Sequence, residues 1–183
     1  IIEKKSCPRY CGIQIKNIDN KATLPVWILQ NLERGGITSI NPVVDITNYV
    51  LLEMGQPLHA FNQTNIYGVI SVRKAKKNET LKLLNEQNIK LKEGELIIAD
   101  EKGPLALAGV MGGESSSINQ DSTEIFIESA YFNPIDIAGI ARSYGLNTDS
   151  SHRFERGVDF ENTKNALQRA TSLIIDFCKI TIR

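Results

Sequence analysis

No sign of charge dominates this sequence: 21 Lys+Arg stand against 21 Asp+Glu, a formal net charge of zero over 183 residues. Proteins that coat nucleic acid need a basic excess to displace counterions from phosphates, so that class is disfavoured and any nucleic-acid contact is expected to be local. Cysteine is scarce, with only Cys7, Cys11 and Cys178. An odd count without a recognisable leader does not make a disulfide framework, and a reducing, cytoplasmic setting is expected. The Cys7-x3-Cys11 spacing does not suit a zinc knuckle and no second Cys/His pair follows, so buried thiols are expected rather than a metal site. No apolar run approaches the ~20 residues that span a bilayer, and no membrane contact is expected.

What is present suffices for a folded core. Hydrophobic residues make up 42% and charged residues 23%, which argues against disorder. The length suits one domain, or one domain with two tightly joined lobes. The chain does not begin with Met and stops inside an amphipathic pattern, Leu167 to Lys179, so a piece of a longer polypeptide is expected.

Along the chain, Arg9 to Ile15 reads as a strand. Thr23-Leu24-Pro25 opens a helix, with Thr23 as N-cap, Pro25 in the first turn and Val26, Leu29 and Leu32 on the apolar face; Gly35-Gly36 ends it. Val43 to Leu52 reads as a second helix against the strand propensity of its β-branched residues. Gly55-Gln56-Pro57 breaks it, and Leu58 to Phe61 should be a turn leading into extended chain. The middle is β-rich: 69–73, 80–83, 89–91, 96–99 and 105–108 alternate or run apolar. Glu124 to Ala130 alternates acid and apolar residues. A helix is expected from Asn133-Pro134 through Ala141, and a longer one from Phe160 to Phe177. Helices flanking a run of strands without a βαβ repeat give an α+β class, a layered module with a central mixed or antiparallel β-region.

Two histidines can be weighed singly. His59 follows a proline turn from which a loop can present its imidazole to a pocket; a core-edge histidine satisfied by backbone is the plainer reading. His152, within Thr148 to Gly157, reads as part of an ion-pair network pinning a loop as readily as a site. Ser151 beside it is no evidence of a Ser-His dyad, because sequence neighbours rarely face each other. Gly109-Val110-Met111-Gly112-Gly113 either lets backbone amides approach a ligand oxygen or makes a tight strand-to-strand turn. Glu128 ends an alternating strand before Ser129-Ala130, where a carboxylate either accepts a ligand hydroxyl or pairs with a cation.

Several long motifs occur in fixed order: Cys7-Pro8-Arg9-Tyr10-Cys11-Gly12, Val43 to Val50, Gly55-Gln56-Pro57-Leu58-His59-Ala60-Phe61, Ala108 to Gly113, and Ser151 to Asp159. Together they resemble the central third and fourth domains of the bacterial phenylalanyl-tRNA synthetase beta subunit, from about Cys7 to Cys178. The resemblance implies a single α+β editing module over 1–183, with two interleaved lobes, excised from a longer chain. Its implied activity is hydrolysis of tyrosine misattached to the phenylalanine tRNA. By the same resemblance His59 is the catalytic histidine, and Glu128, Thr148, Gly112 and Asn48 contact substrate. The implied partners are an alpha subunit in an alpha2beta2 heterotetramer and the 3′ end of the tRNA; ATP and magnesium serve the whole enzyme, outside this segment.

Two departures from the family pattern bear on the site. Thr38-Ser39-Ile40-Asn41 stands where many relatives carry Arg-Pro-Ile-Asn, and Ser150 stands where an alanine usually shapes the pocket. Thr38 and Ser150 therefore join the substrate-binding candidates. They also open an alternative, a structural, tRNA-accommodating module whose editing has decayed. A stand-alone relative that clears mischarged tRNA in trans is a third, weaker reading.

Overall fold

The computed structural model describes residues 2–178. Its strands are β1 (Arg9–Lys16), β2 (Leu58–Asn62), β3 (Ser71–Lys74), β4 (Thr80–Lys82), β5 (Asn88–Lys90), β6 (Leu96–Ala99), β7 (Pro104–Leu107), β8 (Met111–Gly112) and β9 (Glu124–Tyr131). Its helices are α1 (Val26–Arg34), α2 (Pro42–Met54), α3 (Pro134–Ile137), α4 (Ile140–Ser143), α5 (Asp149–Arg156) and α6 (Asn162–Phe177). The class is α+β with antiparallel pairing. The chain divides into two compact units of interleaved segments.

One unit gathers Cys11–Thr64, Ile118–Ser129 and the residues from Asp159 on. Its sheet has the order β1-β9-β2, with β2 antiparallel to β9. Ala60, Ile125 and Ile127 point to one face and join a core with Ile28, Leu32, Val43, Ile46, Val50, Ala166, Ala170, Leu173 and Ile174. Helices α1, α2 and α6 therefore lie on that face. In α6 the stripe Thr163, Ala166, Leu167, Ala170, Leu173 and Ile174 is the buried side, as a 3.6-residue period requires.

In α2 the β-branched run stays helical because its ends are fixed and its apolar face is buried. Asn41 caps the first turn by accepting from the Val44 N–H at 3.1 Å, and Pro42 supplies a preset φ. The Asn20 side chain accepts from the Val43 N–H at 3.1 Å, satisfying a second free donor. Gly55, at φ 72°, closes the helix with its N–H on the Leu51 carbonyl, a conformation glycine adopts without strain.

Helix α1 differs from the sequence expectation. Pro25 is the N-cap, no side chain caps the helix, and Ile28 and Leu32 form its buried side while Val26 is 66% exposed. The spacing of three picked out Leu32 and half-buried Leu29 but placed Val26 on the wrong flank. The pattern expected to reach Lys179 leaves the described residues at that position.

The other unit gathers the residues up to Tyr10, Asn65–Ser117 and Ala130–Val158. Here β3-β6-β7-β8 form an antiparallel sheet, and β4-β5 form a two-stranded ribbon with Leu81 opposite Ile89. Val110 donates to the Leu107 carbonyl at 3.0 Å, so the glycine-rich segment turns tightly from β7 into β8. Gly109 takes φ 70° there, and a Cβ on it would meet the Phe132 and Phe154 rings at 3.2 Å. Those rings stack edge to face at 5.0 Å. The single helix expected from 134 to 141 is two short ones, broken at Gly139, which has φ 78°. Ser150 to Arg156, read as a loop, is helical: Thr148 and Ser151 form a capping box and Phe154 is buried.

Candidate functional site

The second of the two histidines falls away first. His152 is exposed on α5, its Nε2 against the Asn147 Oδ1 and its Nδ1 3.2 Å from the Arg156 guanidinium. An arginine donates only, so Nδ1 accepts and Nε2 carries the proton. This is a helix-surface tether, at a position where the sequence left an ion-pair network and a site equally open.

His59 sits on strand β2 and not on a loop. The chain is already extended from Leu58, directly after the Gly55 cap and Pro57. In the antiparallel register His59 is opposite Glu128, and Phe61 is opposite Phe126. Facing residues on neighbouring strands share a face, as do residues two apart. His59, Phe61, Phe126 and Glu128 therefore stand together on the sheet face opposite the Ala60, Ile125 and Ile127 core. Facing Cβ atoms in such a ladder lie about 5 Å apart. Glu128 lies within β9, three residues before its end, and is 6% exposed.

The imidazole is half-buried, its Nε2 fully buried and without a hydrogen-bond partner. It packs edge to face on Phe61 with ring centroids 4.5 Å apart. Burial pushes its pKa down from 6.5 to about 4, because a charged ring would lose its hydration. At neutral pH His59 is therefore uncharged, with one nitrogen to donate and one to accept. Burial of this kind leaves no mark in the residues next to His59 in sequence.

The remaining candidates are distributed as follows. Asn48 is half-buried on α2, the helix whose other flank packs on the sheet. Thr38 is exposed in the loop before α2. That loop is pinned by buried Asp45, which accepts from the Ser39 hydroxyl at 2.5 Å and the Ile40 N–H at 2.8 Å. Gly112, Thr148 and Ser150 belong to the other unit. Gly112 is buried in β8 and its carbonyl accepts from the Leu84 N–H at 3.1 Å.

Thr148 is committed twice: its hydroxyl donates to the Val110 carbonyl at 2.9 Å and accepts from the Ser151 N–H at 3.1 Å. It ties the glycine turn to the start of α5. Ser150, in the first turn of α5, is half-buried. Within the sheet unit the fold thus unites His59 and Glu128, and it adds Phe61 and Phe126. The signal for these two was available, since each lies two residues from a candidate on a strand of period two.

Among the described residues, no group of three or more His, Cys, Asp or Glu is placed to hold a metal ion. Cys178 is buried, and burial pushes its thiol up to about 12. No described helix is long and apolar enough to cross a membrane.

The B3/4 domain family model matches residues 6–179. The phenylalanine--tRNA ligase beta subunit of Pasteurella multocida is 51% identical over 174 residues, 95% of this chain and 22% of that protein. The corresponding subunits of Dechloromonas aromatica and Aromatoleum aromaticum are 52% and 54% identical, over 95% and 94% of the chain and again 22% of each protein. The chain thus spans about a fifth of the length of these relatives. A solved N-terminal fragment of the phenylalanyl-tRNA synthetase beta subunit from Pyrococcus horikoshii superposes with a TM-score of 0.61 at 13% identity, over 96% of this chain and 46% of that one, a likeness of fold. With a family match across nearly its whole length, the chain belongs to the B3/4 domain family.

Proposed function

We propose that this chain is the editing module of a phenylalanine--tRNA ligase beta subunit, and that it hydrolyses the ester of tyrosine misattached to the phenylalanine tRNA. The observation that carries the reading is the cross-strand pairing of His59 with Glu128 on the sheet face opposite the Ala60, Ile125 and Ile127 core. Tyrosine differs from phenylalanine by one para hydroxyl, which a hydrophobic pocket alone rejects poorly. A second site gains discrimination by requiring that hydroxyl. In the proposal Glu128 accepts the phenol hydrogen bond. Phenylalanine in the same place would forgo that charge-assisted hydrogen bond, at about 1–3 kcal/mol, a tenfold to hundredfold bias toward clearing the error.

The reaction adds water to the ester carbonyl carbon and breaks the bond to the ribose oxygen, which leaves with a proton; tyrosine and free tRNA result. His59, neutral at pH 7, orients that water through an acceptor nitrogen. With its pKa near 4 it is a weak proton acceptor, so its contribution is chiefly positional. The ester is already activated, and a neighbouring ribose hydroxyl of the tRNA end assists in taking up charge. Asn48 and Thr38 remain substrate-binding candidates of the same unit as His59, and Gly112, Thr148 and Ser150 remain candidates within the other unit.

The proposal extends to the setting: a cytoplasmic heterotetramer of two alpha and two beta subunits, with ATP and magnesium used by the alpha subunit and tRNA reaching this module by its 3′ end. The 51–54% identity to beta subunits supports that setting. The test is deacylation of preformed Tyr-tRNA and Phe-tRNA by the complete ligase. The wild type should clear Tyr-tRNA faster, and His59→Ala should slow that clearance tenfold or more without abolishing it. Equal, slow loss of both esters in wild type and variant would leave only the tRNA-accommodating role.

A further inference from the structure

No hydrogen bond holds the His59 ring among the described residues, and Nε2 is buried without a partner. The terminal torsion of a histidine is intrinsically broad. Something other than a polar tie must therefore set the angle at which the imidazole meets a bound water. Its ring packs on Phe61, edge to face at 4.5 Å with planes inclined at 80°. Phe61 is itself fully buried and lies 6.4 Å from Phe126, at 38°.

Phe126 rests on a glycine. Strand β1 borders β9, and a methyl group added to Gly12 would overlap the Phe126 ring, with two further ring carbons at 2.8 and 3.0 Å. Gly12 has no left-handed backbone angle, so conformational freedom does not explain it. The missing side chain does: the ring occupies the place where a Cβ would stand. Gly12, Phe126, Phe61 and His59 thus form one line of contact across the three strands of the sheet.

We infer that Phe61 and Phe126 are positioning residues for the imidazole, and that Gly12 is the gap that lets them stand where they do. The inference rests on the reading of His59 as the hydrolytic histidine. A misplacement of about 1 Å at a reacting group costs on the order of a hundredfold in rate. The line of rings therefore acts on turnover more than on substrate affinity.

The test uses the complete ligase and preformed Tyr-tRNA, with phenylalanine aminoacylation as a check on folding. Phe61→Leu keeps an apolar side chain of moderate size and should lower deacylation kcat roughly tenfold to a hundredfold with KM within about twofold. Gly12→Ala should do the same by driving the Phe126 ring away. Adding Phe126→Leu to Gly12→Ala removes the overlap and should recover part of the loss, to the level of Phe126→Leu alone. A purely structural role predicts aminoacylation falling in step with deacylation, not a selective loss of deacylation kcat.

Unchanged kcat in Phe61→Leu overturns the inference, as does a double variant no better than Gly12→Ala. Should Gly12→Ala fail the aminoacylation check, Phe61→Leu decides alone. If His59→Ala itself leaves deacylation unchanged, the functional reading falls and takes the inference with it. If His59→Ala is slow while Phe61→Leu is normal, only the inference falls.

Discussion

Two polar residues that the family resemblance offers as site candidates are held in opposite ways, each within its own unit. Thr148 spends its hydroxyl on the fold, donating to Val110 and accepting from Ser151. His59 spends nothing: it is held by a phenylalanine edge, and its buried Nε2 meets no polar group. A buried polar atom without a protein partner normally costs stability. The difference separates a residue that the frame uses from one that the frame leaves untied. Changes at Thr148 should register first as lost stability, and changes at His59 first as lost turnover.

The largest effect expected from this contrast is in acid. Above pH 6.5 His59 is neutral in both folded and unfolded chains and adds no pH dependence. Between 6.5 and about 4 the unfolded imidazole binds a proton that the folded one refuses, so stability falls as pH falls. The loss levels off below 4 at no more than about 3 kcal/mol. Denaturant unfolding from pH 7 to 4, compared with His59→Gln, should show that slope shrink in the variant; parallel curves would mean that the ring is not protected from protonation.

Next in size is discrimination. Glu128→Gln keeps the shape but exchanges the charged acceptor for a neutral amide, and the preference for Tyr-tRNA over Phe-tRNA should narrow by about tenfold to a hundredfold, or 1–3 kcal/mol. A preserved ratio of deacylation rates would remove Glu128 from the selection.

Frame residues come third. Thr148→Ala should cost about 1 to 2 kcal/mol of unfolding free energy through loss of the α5 cap, with Thr148→Ser retaining most of it. A melt unchanged by the alanine would contradict the capping role. Smallest of all, the pair Thr38→Arg and Ser150→Ala should shift stability by no more than about 0.5 kcal/mol, because Thr38 is exposed and Ser150 only half-buried. A clear rise in Tyr-tRNA clearance by that pair would identify the native residues as marks of decayed editing.

The legible parts of the fold were those where local chemistry and tertiary burial agree. The α2 helix could be read because Gly55-Gln56-Pro57 marks its end, and β9 because acid and apolar residues alternate. Helix α5 was hidden: its strongly charged sequence has Phe154 as its one large apolar anchor, and its capping box uses Ser151 rather than the usual Glu or Gln. The face of α1 was misassigned because a spacing of three fits two stripes of a short helix, and only contact with the sheet chooses between them.

For the site, His59 and Glu128 could be chosen one by one, but their union could not. It depends on strand register, which relates residues 69 positions apart and is fixed by core packing of Ala60, Ile125 and Ile127. The pKa of His59 was equally out of reach, since it follows from enclosure and not from sequence neighbours.

The central claim is that one hollow receives an aromatic side chain only when it brings a para oxygen to Glu128 beside His59. A crystal structure of the complete ligase with a non-hydrolysable amide of tyrosine on the 3′-terminal adenosine tests this directly. The account predicts the phenol oxygen within about 2.5–3.0 Å of the Glu128 carboxylate, with the amide carbonyl next to the His59 ring. An analogue seated on another surface, with neither side chain in contact, would contradict it.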